Sequence, residues 1–379
     1  MKKLRAINTD GFGVADNLGI VRILDAGNYV FLAISNPTLG ATIYRSTDGE
    51  NWELISGYGI VGNSANHLVL SLVWFNDALY AGTWQILTPS LGARLFRANA
   101  KAGDVNDIAW EPVTLDGFGN LNNSAFTSGI VFDGYIYFGA FNPSEGTEIW
   151  RSKTGDPDDW EMCAPKSFNR PDNSDSTTMY AHKGYLYLGT EVARIPSTGT
   201  AIPSMGTAIY RTAGGGGKTT WEQVNIDGFG EVENSNTGAI TVFGRYMYAG
   251  VWNPNGCQVW RSDMQGELPW TWEKVMTGGS GAPRNQSVFS VAVLDGRIYF
   301  GCIGAHLGVL GLDLGEGRLL TSEDGVDWTE IKSADFISGR IWGVGSLATY
   351  HGKLYIGLLA PLLLPLGARC QLWVYEPLQ

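Results

Sequence analysis

Three side chains are candidates for acid–base chemistry: His67, Asp175 and Arg22. Each stands where the equivalent positions of the chain hold smaller or uncharged residues. An imidazole or a carboxylate beside an apolar pocket can accept a proton near neutral pH, because loss of solvent shifts its pKa towards neutrality. We therefore predict His67 or Asp175 as a base, with Arg22 or Arg194 as the partner of an anion or of a hydrogen bond.

Six residues in or beside the connecting segments are candidates for ligand contacts: Trp84, Glu191, Arg194, His306, Trp342 and Leu358. Four insertions, at residues 84–93, 191–208, 303–317 and 358–367, are unusually apolar for loops, which are normally polar. Three interpretations stay open: a plug of loops packed on one another, a cover over an apolar ligand pocket, or a contact with an oligomer partner or a membrane surface. Taken singly, each polar candidate also fits an ordinary loop hydrogen bond or ion pair.

A repeat determines which elements position these residues. A short strand pattern recurs seven times, as YVFLA, ALYAG, YIYFG, YLYLG, YMYAG, RIYFG and KLYIG. Fourteen residues before the central aromatic of six copies stands an asparagine, and the seventh copy has Ile341 instead; the six are Asn17, Asn66, Asn123, Asn173, Asn234 and Asn285. An arginine-bearing strand and a tryptophan-led strand follow in most units. Alternating apolar residues between polar turns predict strands rather than helices.

Four strands repeated about every 50 residues are typical of β-propeller blades. We predict an all-β fold: a seven-bladed β-propeller of four-stranded antiparallel blades, forming one domain over residues 1–379. The blades are about 17–65, 66–122, 123–172, 173–233, 234–284, 285–340, and 341–379 together with 1–16. The first strand should complete the last blade, because LRAINTDGFG aligns with WEPVTLDGFG and WEQVNIDGFG. It is therefore expected to pair with the C-terminal segment QLWVYE.

Two hairpins carry the S-x-D-G-x-x-W pattern, RSTDGENW at 45–52 and TSEDGVDW at 321–328. This pattern resembles the Asp-box, or BNR, repeat of sialidases and many other propellers. Ala193-Arg194-Ile195-Pro196 is similar to the sialidase motif whose arginine binds the sugar carboxylate, but its aromatic residue is replaced by Ala193. The architecture is also similar to the propeller part of cyanobacterial cyclophane-forming alkylation enzymes. These resemblances imply the propeller fold and leave the activity open, since propellers host many functions.

Composition excludes several classes of function. A formal charge of -11 and the absence of basic runs argue against a nucleic-acid partner. No apolar stretch is long enough for a membrane span, and the first ten residues carry no signal-peptide pattern, so we expect a cytoplasmic protein. The four cysteines form no CxxC pair, and the four histidines show no metal-ligand spacing. We therefore predict no metal and no cofactor.

The functional hypothesis is a propeller that binds, and in one version transforms, a largely apolar or aromatic small molecule at the top of the central axis under the apolar loops. The alternative is a non-catalytic propeller that binds a protein partner, or a sugar as lectins do. A glycoside hydrolase of the sialidase type ranks below both. Whether a reaction is catalysed stays open at this point.

Overall fold

The structure is a computed structural model. It describes residues 3–85, 91–101, 103–192, 204–214, 220–304, 317–333, 336, 341–360 and 370–376. Arg194 and His306 lie outside these ranges, as does most of each of three apolar insertions, at 191–208, 303–317 and 358–367.

The described residues form strands joined by tight turns. The strands of the first half of the chain are β1 (Lys3–Ala6), β2 (Gly19–Asp25), β3 (Val30–Ser35), β4 (Thr42–Ser46), β5 (Glu53–Leu54), β6 (Leu68–Phe75), β7 (Ala78–Trp84), β8 (Leu95–Ala98), β9 (Trp110–Thr114), β10 (Ala125–Phe132), β11 (Tyr135–Phe141), β12 (Glu148–Ser152), β13 (Trp160–Met162), β14 (Asn173–His182) and β15 (Tyr185–Val192). Those of the second half are β16 (Ile209–Ala213), β17 (Glu222–Gln223), β18 (Asn236–Phe243), β19 (Tyr246–Trp252), β20 (Gln258–Ser262), β21 (Glu273–Met276), β22 (Ser287–Leu294), β23 (Arg297–Ile303), β24 (Leu319–Ser322), β25 (Thr329–Glu330), β26 (Gly343–Tyr350), β27 (Lys353–Leu359) and β28 (Leu372–Glu376).

Helical structure in the described residues is limited to single turns of three or four residues. They span Asp10–Gly13, Gly59–Gly62, Val105–Asp107, Lys166–Asn169, Asp227–Gly230 and Gly278–Gly281. No helix in the part of the chain that the structure describes is long and apolar enough to cross a membrane.

The chain divides into two compact units. Unit 1 contains residues 1–68, 243–261 and 273–379, and unit 2 contains residues 69–242 and 262–272. In unit 1, an antiparallel sheet runs in the order β25-β24-β23-β26-β27-β2-β3-β4-β5. In unit 2, one sheet runs in the order β13-β12-β11-β10-β7-β8-β9, and β14, β15, β16 and β17 pair in sequence. The all-β class predicted from the sequence is confirmed.

The N-terminal strand pairs with the C-terminal one, as the sequence predicted. β1 lies antiparallel to β28, with Lys3 opposite Glu376 and Ala6 opposite Trp373. On its other side β28 pairs with β27, so that β28 lies between β27 and β1. Backbone bonds continue past the strand, because the Ile7 amide donates to the Leu372 carbonyl at 2.9 Å.

The core of each repeat is built by its second strand, which has a run of at least four buried residues in every copy. The central aromatic residues of the repeat, such as Tyr80, Tyr137 and Tyr299, are almost completely buried. Large aromatic side chains bury the most apolar surface per residue, so they account for much of the hydrophobic stabilisation of each sheet. The periodic signal in the sequence is therefore a signal of the core.

Candidate functional site

The recurrent asparagine has a structural role in all six copies. Its Nδ2 donates to the carbonyl of a tight turn that precedes it by six or seven residues: Asn17 to Gly11, Asn66 to Gly59, Asn123 to Gly117, Asn173 to Ser167, Asn234 to Gly228 and Asn285 to Gly279. Each turn places residues at positive φ, for example Gly228 and Phe229. The seventh repeat lacks the amide, and Ile341 is buried there instead.

The recurrent arginines are also structural. In five repeats the arginine lies beside the glutamate of the neighbouring outer strand: Arg45 with Glu53, Arg97 with Glu111, Arg151 with Glu161, Arg211 with Glu222 and Arg261 with Glu273. These pairs lie at the outer strands of their sheets. The recurrent arginines are thus bound within the sheets.

The side chains of the S-x-D-G hairpins bond to the amides of their own turns. In the copy at 321–328, Asp324 accepts bonds from the amides of Asp327 and Val326, and the Ser322 hydroxyl donates to it. These donors lower the pKa of Asp324 to about 2. The carboxylate is thus committed to the turn.

The recurrent asparagines and arginines belong to the scaffold, so the non-periodic candidates can now be placed. Three of them, Trp84, Asp175 and Glu191, lie near the end of a second strand or two residues after a recurrent asparagine. The backbones at these two kinds of position pair with each other and with those of the next repeat, and we call these positions the rim. In unit 1 the rim runs Ser287, Ile303, Gly343, Leu359, Gly19 and Ser35. In unit 2 it contains the series Trp84, Ala125 and Phe141 and the series Asp175, Glu191 and Asn236.

The second series is the polar break in this rim. Asp175 lies opposite Glu191 across β14 and β15, and Glu191 lies opposite Asn236 of the next repeat. The inner strand β14 carries two register shifts where β10 carries one, and the additional one falls between Asn173 and Asp175. A bulge of this kind redirects a side chain locally. The structure thus brings together Asp175 and Glu191, which the sequence predicted separately.

Hydrogen bonds hold the two acids in place. Asp175 is 5% exposed, and its Oδ1 accepts from the Thr127 hydroxyl at 2.5 Å and from the Ser176 amide at 2.7 Å. Glu191 is half-buried, and its Oε2 accepts from Asn236 Nδ2 at 2.7 Å. The Oδ1 of the same Asn236 amide is buried and has no hydrogen-bond partner. Asp175 Oδ1 and Glu191 Oε2 thus accept bonds from side chains and backbone of the same unit.

Two aromatic rings lie on the same unit's rim. Trp84 and Phe141 are half-buried and pack edge to face, with ring centroids 6.2 Å apart. Phe141 ends β11, the second strand of the repeat that precedes the Asp175 repeat, and the backbone amide of Asn142 donates to the Ser174 carbonyl at 2.8 Å. An apolar surface thus adjoins the acidic cluster along the rim.

The remaining described candidates lie in unit 1. His67 is 5% exposed, its Nδ1 has no hydrogen-bond partner, and burial lowers its pKa. Trp342 is equally buried, and its Nε1 also has no partner. Arg22 is half-buried, with its guanidinium 5.6 Å from the ring centre of Phe289. β26 contacts both β2 and β22, so the side chain reaches past one inner strand.

Leu358 has a different environment from the one predicted. It was expected at the start of an apolar loop, but it lies inside β27 and is fully buried. It belongs to a core cluster with Val344, Ile356 and Trp373. In this structure it stabilises the seventh repeat and is shielded from any ligand.

Sequence reasoning missed Thr127, Phe141 and Asn236. Asn236 carried a usable signal, because it stands two residues after a recurrent asparagine, as Asp175 does, where the other copies have Gly19, Leu68, Ala125, Ser287 and Gly343.

In the residues that the structure describes, no group of three His, Cys, Asp or Glu side chains could hold a metal ion.

A separate open cleft of about 580 Å³ lies in unit 2. Its lining includes Arg97, Lys101, Glu111 and Asp156, and Arg97 pairs with both carboxylates. None of the predicted site residues within the described ranges lines this cleft. Its charged groups pair with one another, so its polarity is explained by the scaffold.

Comparisons with known proteins identify the fold. No protein-family model matches the chain, and no curated protein matches it in sequence. Among solved structures, the WD40 β-propeller domain of Doa1 is similar, with a TM-score of 0.56 and 10% identity over 100% of this chain and 98% of that one. An ancestral GH74 enzyme has a TM-score of 0.62 and 13% identity, over 96% of this chain and 48% of that one. Puromycin hydrolase has a TM-score of 0.56 and 10% identity, over 94% of this chain and 53% of that one.

These likenesses show a β-propeller fold. Identities of 10–13% carry no information about activity, because propellers with unrelated functions share the architecture. The chain spans about half the length of the two enzymes.

Proposed function

We propose that the chain is a seven-bladed β-propeller closed by β1, and that it binds a largely apolar or aromatic small molecule at the top of the central axis, under the apolar loops. The observation that carries the proposal is the break in the unit 2 rim, where Asp175, Glu191 and Asn236 follow the aromatic pair Trp84 and Phe141. Polar groups at one point of a mostly apolar surface are typical of small-molecule sites.

Among the described rim positions, the acidic pair Asp175 and Glu191 occurs in one repeat only, which favours single-site recognition. A lectin-like propeller would be expected to repeat its binding residues, whereas the repeated Asn and Arg residues here bond within the scaffold. A protein-binding propeller remains the alternative, and extraction of a bound compound separates the two.

A catalytic version of the proposal rests on His67. Burial lowers the pKa of this imidazole, so it is neutral near pH 7 and able to accept a proton. Its unpartnered Nδ1 is consistent with a ring that is not committed to the scaffold. In this version Arg22, which lies in the same unit as His67, is the partner of an anion, and Asp175 is the alternative base.

The test compares two tryptophans of unit 2. Trp84 lies at the rim, and Trp74 is an equally half-buried tryptophan that contacts Lys101 away from it. Mass spectrometry of an organic extract should find a stoichiometric compound in the wild type and in Trp74→Leu, and none in Trp84→Leu. A compound retained by both variants would place the ligand elsewhere. A clean wild-type extract, with no thermal stabilisation by a panel of aromatic compounds, would favour the protein-partner alternative.

A further inference from the structure

Two buried cysteines, Cys257 and Cys302, lie on the two sides of one boundary between repeats. Both side chains are fully buried, and both thiols are free. Cys257 directly precedes β20 in the fifth repeat, and Cys302 lies in β23 of the sixth. Both belong to unit 1, and the proposed binding site uses neither of them.

The register of β23 directs Cys302 towards the fifth repeat. Cys302 lies opposite Val288 of β22, and register partners on antiparallel strands place their side chains on the same face of a sheet. Val288 packs against β19 of the fifth repeat, because a Cβ built at Gly250 would lie 2.4 Å from Val288 Cγ1. The Cys302 side chain therefore faces the fifth repeat as well.

Cys257 is directed towards the sixth repeat. Its amide donates to the Asn285 carbonyl at 2.8 Å, and Asn285 Nδ2 lies 3.6 Å from its Sγ. A hydrogen bond with the Cys302 side chain, together with burial, raises the pKa of the Cys257 thiol well above its ordinary value. The two thiols are thus neighbours across the boundary.

The boundary between the seventh and first repeats has the same packing with only one cysteine. Cys370 occupies the position of Cys257, since each begins a Cys-Gln-x-Trp segment. Ile34 occupies the position of Cys302, three residues after the central aromatic of its repeat. Cys370 and Ile34 belong to one core cluster, so contact between these two positions is a property of the repeat. Only the boundary between the fifth and sixth repeats has cysteine at both positions.

We propose that Cys257 and Cys302 form a disulfide bond under oxidising conditions, and that this bond links the fifth repeat to the sixth. A disulfide requires two facing side chains whose sulfur atoms can approach each other, and the two sides of this boundary provide them. The bond would close a loop from residue 257 to residue 302. Closing a long loop restricts the unfolded chain and so favours the folded state.

The oxidant that the reaction requires is a low-molecular-weight disulfide such as oxidised glutathione. One cysteine thiolate attacks this disulfide, which forms a mixed disulfide and releases one glutathione. The second cysteine thiolate attacks the protein sulfur of the mixed disulfide and releases the other glutathione. The two cysteines lose two protons and two electrons, and the oxidant becomes two thiols. Because both thiols are buried in the closed sheet, this exchange takes place while the chain folds or when the boundary opens.

The experiment refolds the full chain from urea in oxidising or in reducing glutathione buffer. Free thiols are then alkylated in urea with iodoacetamide, and the peptides are mapped by mass spectrometry. The oxidised protein should yield two peptides joined through Cys257 and Cys302, with Cys163 and Cys370 alkylated. Urea unfolding should give it a ratio of folded to unfolded chains about thirtyfold to a thousandfold higher than that of the reduced protein.

Two double variants make the comparison specific. Cys257→Ala with Cys302→Ala copies the alanines that the chain has at the equivalent positions of another boundary, Ala93 and Ala140, and it should lose the redox dependence of stability. Replacing the other two cysteines by alanine should preserve that dependence.

The peptide map of the wild type decides the proposal even where a variant fails to fold. Four alkylated cysteines after oxidising refolding, or a disulfide that joins any other pair, would overturn it. A linked pair that leaves the unfolding equilibrium unchanged would overturn the stabilising role.

Discussion

Replacing Gly49 by alanine should destabilise the fold through a strained backbone and a clash with one tyrosine side chain. Gly49 ends the S-x-D-G turn of the first repeat with φ +76°, and a Cβ built there would lie 1.9 Å from the Tyr355 hydroxyl oxygen and 2.6 Å from its ring carbon Cζ. Tyr355 is a fully buried aromatic residue of the seventh repeat. The same arrangement recurs between Gly155 and Tyr80 and between Gly325 and Tyr248. In all three pairs, the glycine of a hairpin turn packs against the hydroxyl of a buried tyrosine from another repeat.

The magnitude follows from two terms. Left-handed backbone costs a residue with a Cβ about 1–2 kcal/mol, and forcing a methyl into a packed site costs about 1–3 kcal/mol. Gly49→Ala should therefore lower the free energy of unfolding by about 2–5 kcal/mol. Gly352→Ala is the matched control, since Gly352 has φ +72° and no atom lies within 4 Å of the place that an alanine methyl would occupy. That variant should lose only the backbone term, about 1–2 kcal/mol.

Urea unfolding, followed by tryptophan fluorescence, measures both variants. Tyr355→Phe completes a double-mutant cycle, because the Tyr355 hydroxyl has no hydrogen-bond partner and its removal should change stability by less than about 0.5 kcal/mol. In the double variant the closest atom is gone while Cζ remains, so the coupling should recover about 1 kcal/mol. A Gly49→Ala loss no larger than that of Gly352→Ala, with zero coupling, would refute the steric account.

Three further predictions concern buried groups. Asn234→Ala leaves the Gly228 carbonyl without its buried donor, so the free energy of unfolding in urea should fall by about 1–3 kcal/mol. An unchanged urea midpoint would contradict the structural role of this asparagine. Because burial lowers the pKa of His67 below its ordinary 6.5, its contribution to stability is complete above that pH and is lost as pH falls through the folded-state pKa. His67→Gln should therefore flatten the acid side of the stability profile by at most about 1.4 kcal/mol per pH unit, measured by urea unfolding at several pH values. The four cysteine thiols are buried, and burial raises the pKa of Cys163 to about 12, so iodoacetamide should modify them in urea and spare them in the native protein, as mass spectrometry would show.

The scaffold was readable from the sequence because its determinants are local. Asn234 and the carbonyl to which it donates are six residues apart, and most of the other recurrent asparagines have the same spacing to their carbonyls. The S-x-D-G hairpins are local in the same way. The pairing of β1 with β28 is the exception in distance, and it was predicted because the DGFG ending of the first strand matches two other repeats.

The site was only partly readable, since its geometry depends on register. Asp175 was recognisable as a charge among uncharged equivalents, but its position opposite Glu191 depends on an extra bulge that the sequence does not mark. Asn236 is uncharged and was overlooked. Leu358 was misplaced because the apolar run that continues past the strand already begins inside β27, which ends at Leu359, so composition alone assigned this residue to the loop.

The pairing of β1 with β28 also makes the two ends of the chain depend on each other. An end that frays from a sheet normally opens alone, but here the release of Lys3–Ala6 would uncover the backbone of Leu372–Glu376, a segment with four buried residues. An uncovered strand edge of this kind accepts another strand readily. The corresponding segment of a second copy is the best available substitute, so transient opening at this point is a route to strand exchange between molecules.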